Sequence, residues 1–359
     1  MLELRSTARA FEQIEEWLRD HGFFAPGGED LVADLFLGYG LSETIRRGRT
    51  SAPPEPCPAL PLAAVSVRDT SGVRGETWSK RPTIGPWECS WTPAAYARAV
   101  ERVRAAIERG DVYQVNLVQH LAAPFAGAPH ALAARLSPLV NDSRVPFEGD
   151  GWAIVSASPE LFLARRGQHV WTMPIKGTRS LDSPDDLGDS EKDAAEHIMI
   201  VDLERNDLSR VCEPGSVRWP ELMVERELAG VRHLVSTVEG TLREGVGLAE
   251  LLAATFPGGS VTGAPKIAAV DIIAELEPVG RGASMGALGW VRGNGDLELA
   301  LTIRTFAIAA GRLHLWVGGG VVWDSDPVGE VEESLLKAAP LLDAIGAPLD
   351  APRESGVPA

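Results

Sequence analysis

The sequence predicts an α+β protein built around one large domain. Three observations carry this: strand-like runs joined by short glycine hairpins, helical runs set between them, and no regular strand–helix–strand alternation. The elements follow in chain order. Phe11, Ile14, Trp17 and Leu18 recur at helical spacing and predict an amphipathic helix over 9–19, ended by Gly22, Pro26, Gly27 and Gly28. Pro53, Pro54, Pro56, Pro58 and Pro61 exclude helix and central strand, so 51–61 reads as an irregular connection. Thr92-Pro93 supplies a cap and a first-position proline for a helix reaching Glu108. A strand over 112–121, a helix over 128–139 and short strands over 152–156, 161–164 and 169–173 come next. Ser190 caps a helix to Leu203, with acids in its first turn. Helices over 247–256 and 265–276 flank a glycine-rich loop. Gly293-Asn294-Gly295 and Gly311 then join strands over 286–292, 297–309 and 313–322. A helix from Pro327 to Ile345 closes the pattern. The expected organisation is an abbreviated N-terminal region over 1–85 packing on the core, a main domain over 86–346 and a flexible tail over 347–359.

Composition narrows the function. With 359 residues, 45% of them hydrophobic, the chain can bury a large core. Its net charge of −16 and the lack of any Lys/Arg run argue against nucleic acid or an anionic membrane as partner. An anionic ligand would need positive charge concentrated at one site, or a metal. Cys57, Cys89 and Cys212 are odd in number and far apart, which predicts neither a disulfide scaffold nor a zinc site. Met1–Asp20 does not read as a signal peptide, and no stretch reaches the ~18 apolar residues of a membrane span. A soluble, cytoplasmic protein is expected.

Several residues are candidates for chemistry, each with a plainer alternative. Glu330, Glu333 and Lys337 share a helix face, as a solvated ion pair or as carboxylates for a hard cation beside a lysine. Glu196, on another apolar helix, is a further acid for such a site. The run Pro257–Lys266 fails as a phosphate loop, because Ala264-Pro265 separates Gly263 from Lys266. It remains either a tight turn or a helix entrance offering N–H groups to an anion. Gly318-Gly319-Gly320 permits close approach to a strand, or is simply a bend. Arg304 reads as a charge within an apolar strand, either paired with a carboxylate or on a wet face. Lys176, between Ile175 and Gly177, is a surface lysine or a desolvated nucleophile with a lowered pKa. Glu160 enters an apolar strand, where burial would raise its pKa toward that of a general acid. His233 is a polar contact or a satisfied core histidine.

The order of these signals is more specific than any one of them. Tyr113–Leu117, Ser158-Pro159-Glu160, Pro174–Arg179, Glu196-His197, Val201–Asp207, His233–Ser236, Gly258–Lys266, Ile303-Arg304-Thr305, Gly318–Gly320 and Asp324–Lys337 together resemble the chorismate-utilising enzymes. That family includes the large subunits of anthranilate and aminodeoxychorismate synthases and the isochorismate and salicylate synthases. The resemblance spans roughly residues 85–345. It implies two packed antiparallel β-sheets flanked by helices, with the active site between them, and it implies Mg²⁺. By motif position Glu196 and Glu330 would be metal ligands, with Glu333 beside them or acting through water. Lys337, Gly177 and Thr178 would serve the ring carboxylate of chorismate. Arg304 and the backbone at Gly318 and Gly320 would take the enolpyruvyl carboxylate. His233 and Ser260 would face the ring, and Glu160 would be the general acid for loss of the 4-hydroxyl.

Two positions choose among the family's reactions. Gln114 stands where the salicylate and isochorismate synthases carry a water-activating lysine, and a neutral amide is no base. Lys176 stands where anthranilate synthases have alanine and aminodeoxychorismate synthases have lysine. The resemblance thus implies amination at C4, feeding 4-aminobenzoate and folate synthesis, with ammonia from a separate glutamine amidotransferase subunit. Anthranilate or an amino-deoxyisochorismate is the alternative product, and a chorismate-binding protein without turnover is the third reading. The chain departs from the pattern at Ser284, where a tyrosine is usual, and at Val118 and His120.

Overall fold

The computed structural model describes residues 1–68, 81–139, 145–180, 191–228 and 231–349. In chain order the strands are β1 (Leu2–Leu4), β2 (Val32–Leu37), β3 (Ala63–Val67), β4 (Thr83–Ile84), β5 (Glu88–Cys89), β6 (Gln114–Ala126), β7 (Phe147–Gly149), β8 (Trp152–Ser156) and β9 (Leu161–Arg166). They continue with β10 (His169–Met173), β11 (Ile175–Ser180), β12 (Arg218–Leu228), β13 (Val231–Thr241), β14 (Gly263–Ala264), β15 (Ala287–Arg292), β16 (Leu297–Leu301), β17 (Thr305–Ala309) and β18 (Arg312–Val321). The helices are α1 (Ala10–Asp20), α2 (Pro93–Glu108), α3 (Pro129–Leu136), α4 (Glu191–Ser209), α5 (Leu248–Thr255), α6 (Lys266–Leu276) and α7 (Pro327–Ile345).

Two antiparallel sheets, flanked by helices, form the α+β architecture that the sequence predicts. The larger runs β1-β3-β2-β15-β16-β9-β10-β13-β11, with β12 on β13; the smaller runs β14-β6-β18-β17-β8-β7, with β4 and β5 on β6. One hydrophobic core joins them, with Leu35 and Leu299 of the larger sheet and Val118 and Trp316 of the smaller. A second lies under the smaller sheet, where Leu121, Phe306 and Leu315 meet Leu132 of α3 and Leu341 and Leu342 of α7. Helix starts follow local chemistry: Thr92 Oγ1 accepts from Ala95 N, and the Asp326 carboxylate accepts from Gly329 N. Ser190, expected to cap α4, lies outside the described residues, as do 350–359 of the tail.

The structure corrects three expectations. Residues 297–309 are not one strand. β16 belongs to the larger sheet and β17 to the smaller, and the chain crosses between them at Thr302–Arg304, with Arg304 in the left-handed region at φ 49°. Both strands are buried, so their apolar run is continuous in sequence and hides the corner. Second, β12 and β13 form a hairpin that the pattern did not show: β12 carries Pro220 and alternates poorly, with Arg218, Glu221, Glu225, Arg226 and Glu227 along it. Third, α4 continues past Leu203 to Ser209 through Asn206 and Asp207, poor helix formers, of which Asp207 is held by Lys266 of α6. Residues 1–85 also supply strands: β1, β2 and β3 extend the larger sheet through the pairing of β2 with β15.

Candidate active site

The site begins at the first residue of β6. Gln114 is buried, and its Nε2 donates to Glu196 Oε1 of α4 at 2.6 Å. Its amide lies across β18 because that strand has glycine there: a Cβ on Gly320 would stand 1.7 Å from Gln114 Nε2 and 2.8 Å from Glu196 Oε1. β17 pairs with β18 only from Arg312 to Leu315, whereas β6 pairs as far as Val321. Beyond Leu315 the other edge of β18, including Gly318 and Gly320, has no strand partner among the described residues.

Lys176 enters from β11. A register shift between Lys176 and Thr178 makes a bulge at Gly177, whose φ of 65° suits glycine. The bulge directs the Lys176 ammonium to Glu196 Oε1, 2.6 Å away, with both side chains 13% exposed. Burial pulls the Lys176 pKa down, but the Glu196 carboxylate outweighs it and holds the amine above its ordinary value. Burial likewise works against ionised Glu196, and Lys176 and Gln114 reverse it, leaving that carboxyl below its ordinary value. The desolvation expected for Lys176 is therefore present, whereas the lowered pKa is not: in this state the group is an ammonium.

Glu160 lies beside this pair. Its Oε1 accepts from Ser260 Oγ at 2.7 Å and from Ile175 N at 3.5 Å. Burial raises its pKa, with partial relief from Ser260 and Lys176, as a general acid requires. The glycine-rich loop thus presents a hydroxyl to a carboxyl group. Its lysine does not face a ligand as a phosphate loop's would: Lys266 Nζ is bound by Asp207 Oδ2 and by the carbonyls of Thr255 and Pro257.

Arg304, at the corner between the sheets, is half-buried and within electrostatic reach of Glu160. Burial lowers its pKa, and its guanidinium makes no hydrogen bond among the described residues. A planar donor fork held this way suits an incoming carboxylate. His233 is 1% exposed, and its Nδ1 donates to Gly177 O at 3.1 Å, bracing the bulge; burial keeps its pKa low. For Thr178 only the backbone, in β11, is among the described features.

The last cluster comes from α7. A Cβ on Gly319 would lie 2.9 Å from Lys337 Nζ, 3.7 Å from Glu333 Oε1 and 3.8 Å from Glu330 Oε2, so these three groups converge on the glycine strand. Lys337 Nζ pairs with Glu333 at 2.7 Å and donates to Gly318 O at 3.3 Å. Glu330 is buried, while Glu333 and Lys337 are about half exposed. The carboxylates of Glu196, Glu330 and Glu333 suit a hard cation. Among the described residues they do not close into a three-acid metal group, and ammonium groups pair with Glu196 and Glu333.

Sequence reasoning missed Glu204 and Thr172. Thr172 Oγ1 donates to Glu204 Oε2 at 3.1 Å, and burial, reinforced by Glu160, pushes Glu204 up to about 8. The available signal was an acid flanked by apolar helix positions, spaced three residues from Asp207. Ser284 is fully buried, and its Oγ donates to Thr302 O at 3.3 Å.

A family model described as chorismate binding enzyme matches residues 50–343. The chain is 38% identical over 335 residues to anthranilate synthase component 1 of Streptomyces coelicolor, covering 88% of this chain and 60% of that protein. It is 41% identical over 268 residues to aminodeoxychorismate synthase component 1 of Klebsiella aerogenes, covering 71% of this chain and 59% of that protein. It thus spans about 60% of the length of these curated relatives. Anthranilate synthase component I from Streptococcus pneumoniae superposes with a TM-score of 0.74 at 27% identity, over 86% of this chain and 80% of that one. The menaquinone-specific isochorismate synthase of Escherichia coli, at 20% identity, shares the fold with a TM-score of 0.72, over 94% and 83% of the two chains.

Proposed function

This chain belongs to the chorismate-binding enzymes, and we propose that it aminates chorismate at C4 to give 4-amino-4-deoxychorismate. The observation that carries the choice of C4 is the Lys176 amine, buried between Glu160 and Glu196 at the glycine-lined edge of β18. A side chain there occupies the space through which ammonia would reach C2.

In this reading Arg304 and the β18 backbone at Gly318 and Gly320, beyond its pairing with β17, receive the enolpyruvyl carboxylate. Lys337, with Gly177 and Thr178, serves the ring carboxylate, and His233 and Ser260 lie along the ring. Glu196 and Glu330 would hold Mg²⁺, with Glu333 beside them. Bound there, the ion would neutralise the ring carboxylate and, by sharing Glu196, weaken the grip on the Lys176 proton. Lys176 first gives up a proton to solvent; Glu160, whose protonated form burial favours, then gives its proton to the 4-hydroxyl, which leaves as water as the Lys176 amine bonds to C2. Ammonia then adds at C4, the C2–N bond breaks, and Lys176 is released. The ammonia would come from a glutamine amidotransferase subunit.

The Streptomyces relative, matched over more of the chain, favours a second reading in which anthranilate is formed. Purified protein incubated with chorismate, Mg²⁺ and ammonium, then with a lyase that releases pyruvate, separates the two. We expect 4-aminobenzoate; fluorescent anthranilate without it would refute C4 amination. Absence of any turnover would instead favour a binding protein.

A further inference from the structure

Glu204 has no part in the chemistry above, yet it is buried within electrostatic reach of both Glu160 and Lys176. Its Oε2 accepts from Thr172, whereas its Oε1 has no hydrogen-bond partner among the described residues. With Thr172, Asp207, Phe162 and Leu208 it lines a cavity with room for about one water-sized molecule. Asp207 lines this cavity and also a cleft of about 770 Å³ bordered by Asn206, Arg210 and Lys266.

The polar side chains lining it are the carboxyl groups of Glu204 and Asp207 and the hydroxyls of Thr172 and Thr255, whose protons go to Glu204 and to Leu251 O, so with Glu204 ionised the lining presents acceptors. Water needs donors as well as acceptors, while ammonium offers only N–H groups. The boundary between cavity and cleft already holds a primary ammonium, that of Lys266, on Asp207 Oδ2 and the carbonyls of Thr255 (3.0 Å) and Pro257 (2.6 Å).

We propose that the Glu204 cavity is a relay site for the nitrogen source, binding one ammonium ion from the cleft and releasing ammonia toward Lys176. One N–H bond of the ion breaks, its proton passes to Glu204 Oε1, and neutral ammonia moves on; no other reactant enters. Burial and Glu160 push Glu204 up to about 8, so near that pH both of its forms are populated, and the ionised form can take that proton. The inference rests on the reading that nitrogen enters as ammonia, but not on which ring carbon receives it.

The test uses the full chain, with rubidium as a probe of ammonium size. Rubidium-soaked crystals should show an anomalous peak in the cavity of the wild type and none in Glu204→Gln. In steady-state assays at saturating chorismate, the KM for ammonium should rise about tenfold or more in Glu204→Gln and by less in Thr172→Val. The KM for chorismate should stay within about twofold, since neither residue is placed on the ring or its carboxylates. An empty cavity in the wild type, or an unchanged ammonium KM in both variants, would overturn the relay. If the wild type forms no aminated product at all, the amination reading fails, and the rubidium result alone decides the site.

Discussion

The site holds two lysine–glutamate pairs of nearly equal length. Lys176–Glu196 is 2.6 Å long with both side chains 13% exposed, and Lys337–Glu333 is 2.7 Å long with both about half exposed. Distance alone would rank them together. Burial separates them: the outer pair is screened by solvent and is worth at most ~1 kcal/mol, whereas breaking a buried pair leaves an uncompensated charge and costs about 3–5 kcal/mol. The inner pair therefore controls which of its members carries a proton, and the outer pair mainly shapes the local charge.

Removing the inner lysine should have the largest effect. Lys176→Ala is expected to cut C4 amination by at least about a thousandfold, while calorimetry still detects chorismate binding through groups elsewhere. Wild-type levels of 4-aminobenzoate from that variant would erase the contrast between the pairs. Glu330→Gln should raise the Mg²⁺ needed for half-maximal activity by about tenfold or more, because a charged oxygen ligand becomes neutral. An unchanged Mg²⁺ titration would remove Glu330 from the metal site.

His120 sharpens the comparison from the opposite side, being buried with no counter-charge. It bonds to Ser90 Oγ and to His314, and burial, with His314 and Arg312, lowers its pKa to about 3. The neutral ring is the folded form, and the unfolded chain takes up a proton first as pH falls. Its stabilising contribution is complete above about pH 6.5 and declines toward pH 3. Between pH 6.5 and 5 this amounts to about 2 kcal/mol, and urea titrations should show a smaller loss in His120→Asn. The smallest effect is expected at the outer pair: Lys337→Ala should change the unfolding free energy by under about 1 kcal/mol. A larger loss would mean that its bond to Gly318 O holds the edge of β18.

Much of the molecule was legible beforehand. Helix limits at Thr92-Pro93 and Pro327 were readable because capping is local chemistry, and the hairpin at Gly293–Gly295 because turn geometry demands particular residues. Arg304 was not legible as a corner, because an apolar run reads alike whether it stays in one sheet or crosses to another. Glu204 was missed for a related reason: its partners Thr172 and Glu160 are 32 and 44 positions away in the chain.

By itself the sequence determined the fold class, the ordered set of motifs and the residue types available for chemistry, because periodicity, caps and turns act over a few residues. Only the tertiary structure decided that Lys176 is an ammonium, that Ser260 meets Glu160, and that a glycine strand lets Gln114 lie against Glu196. Protonation and close approach depend on burial and on charges brought together from distant parts of the chain, and no local pattern encodes these.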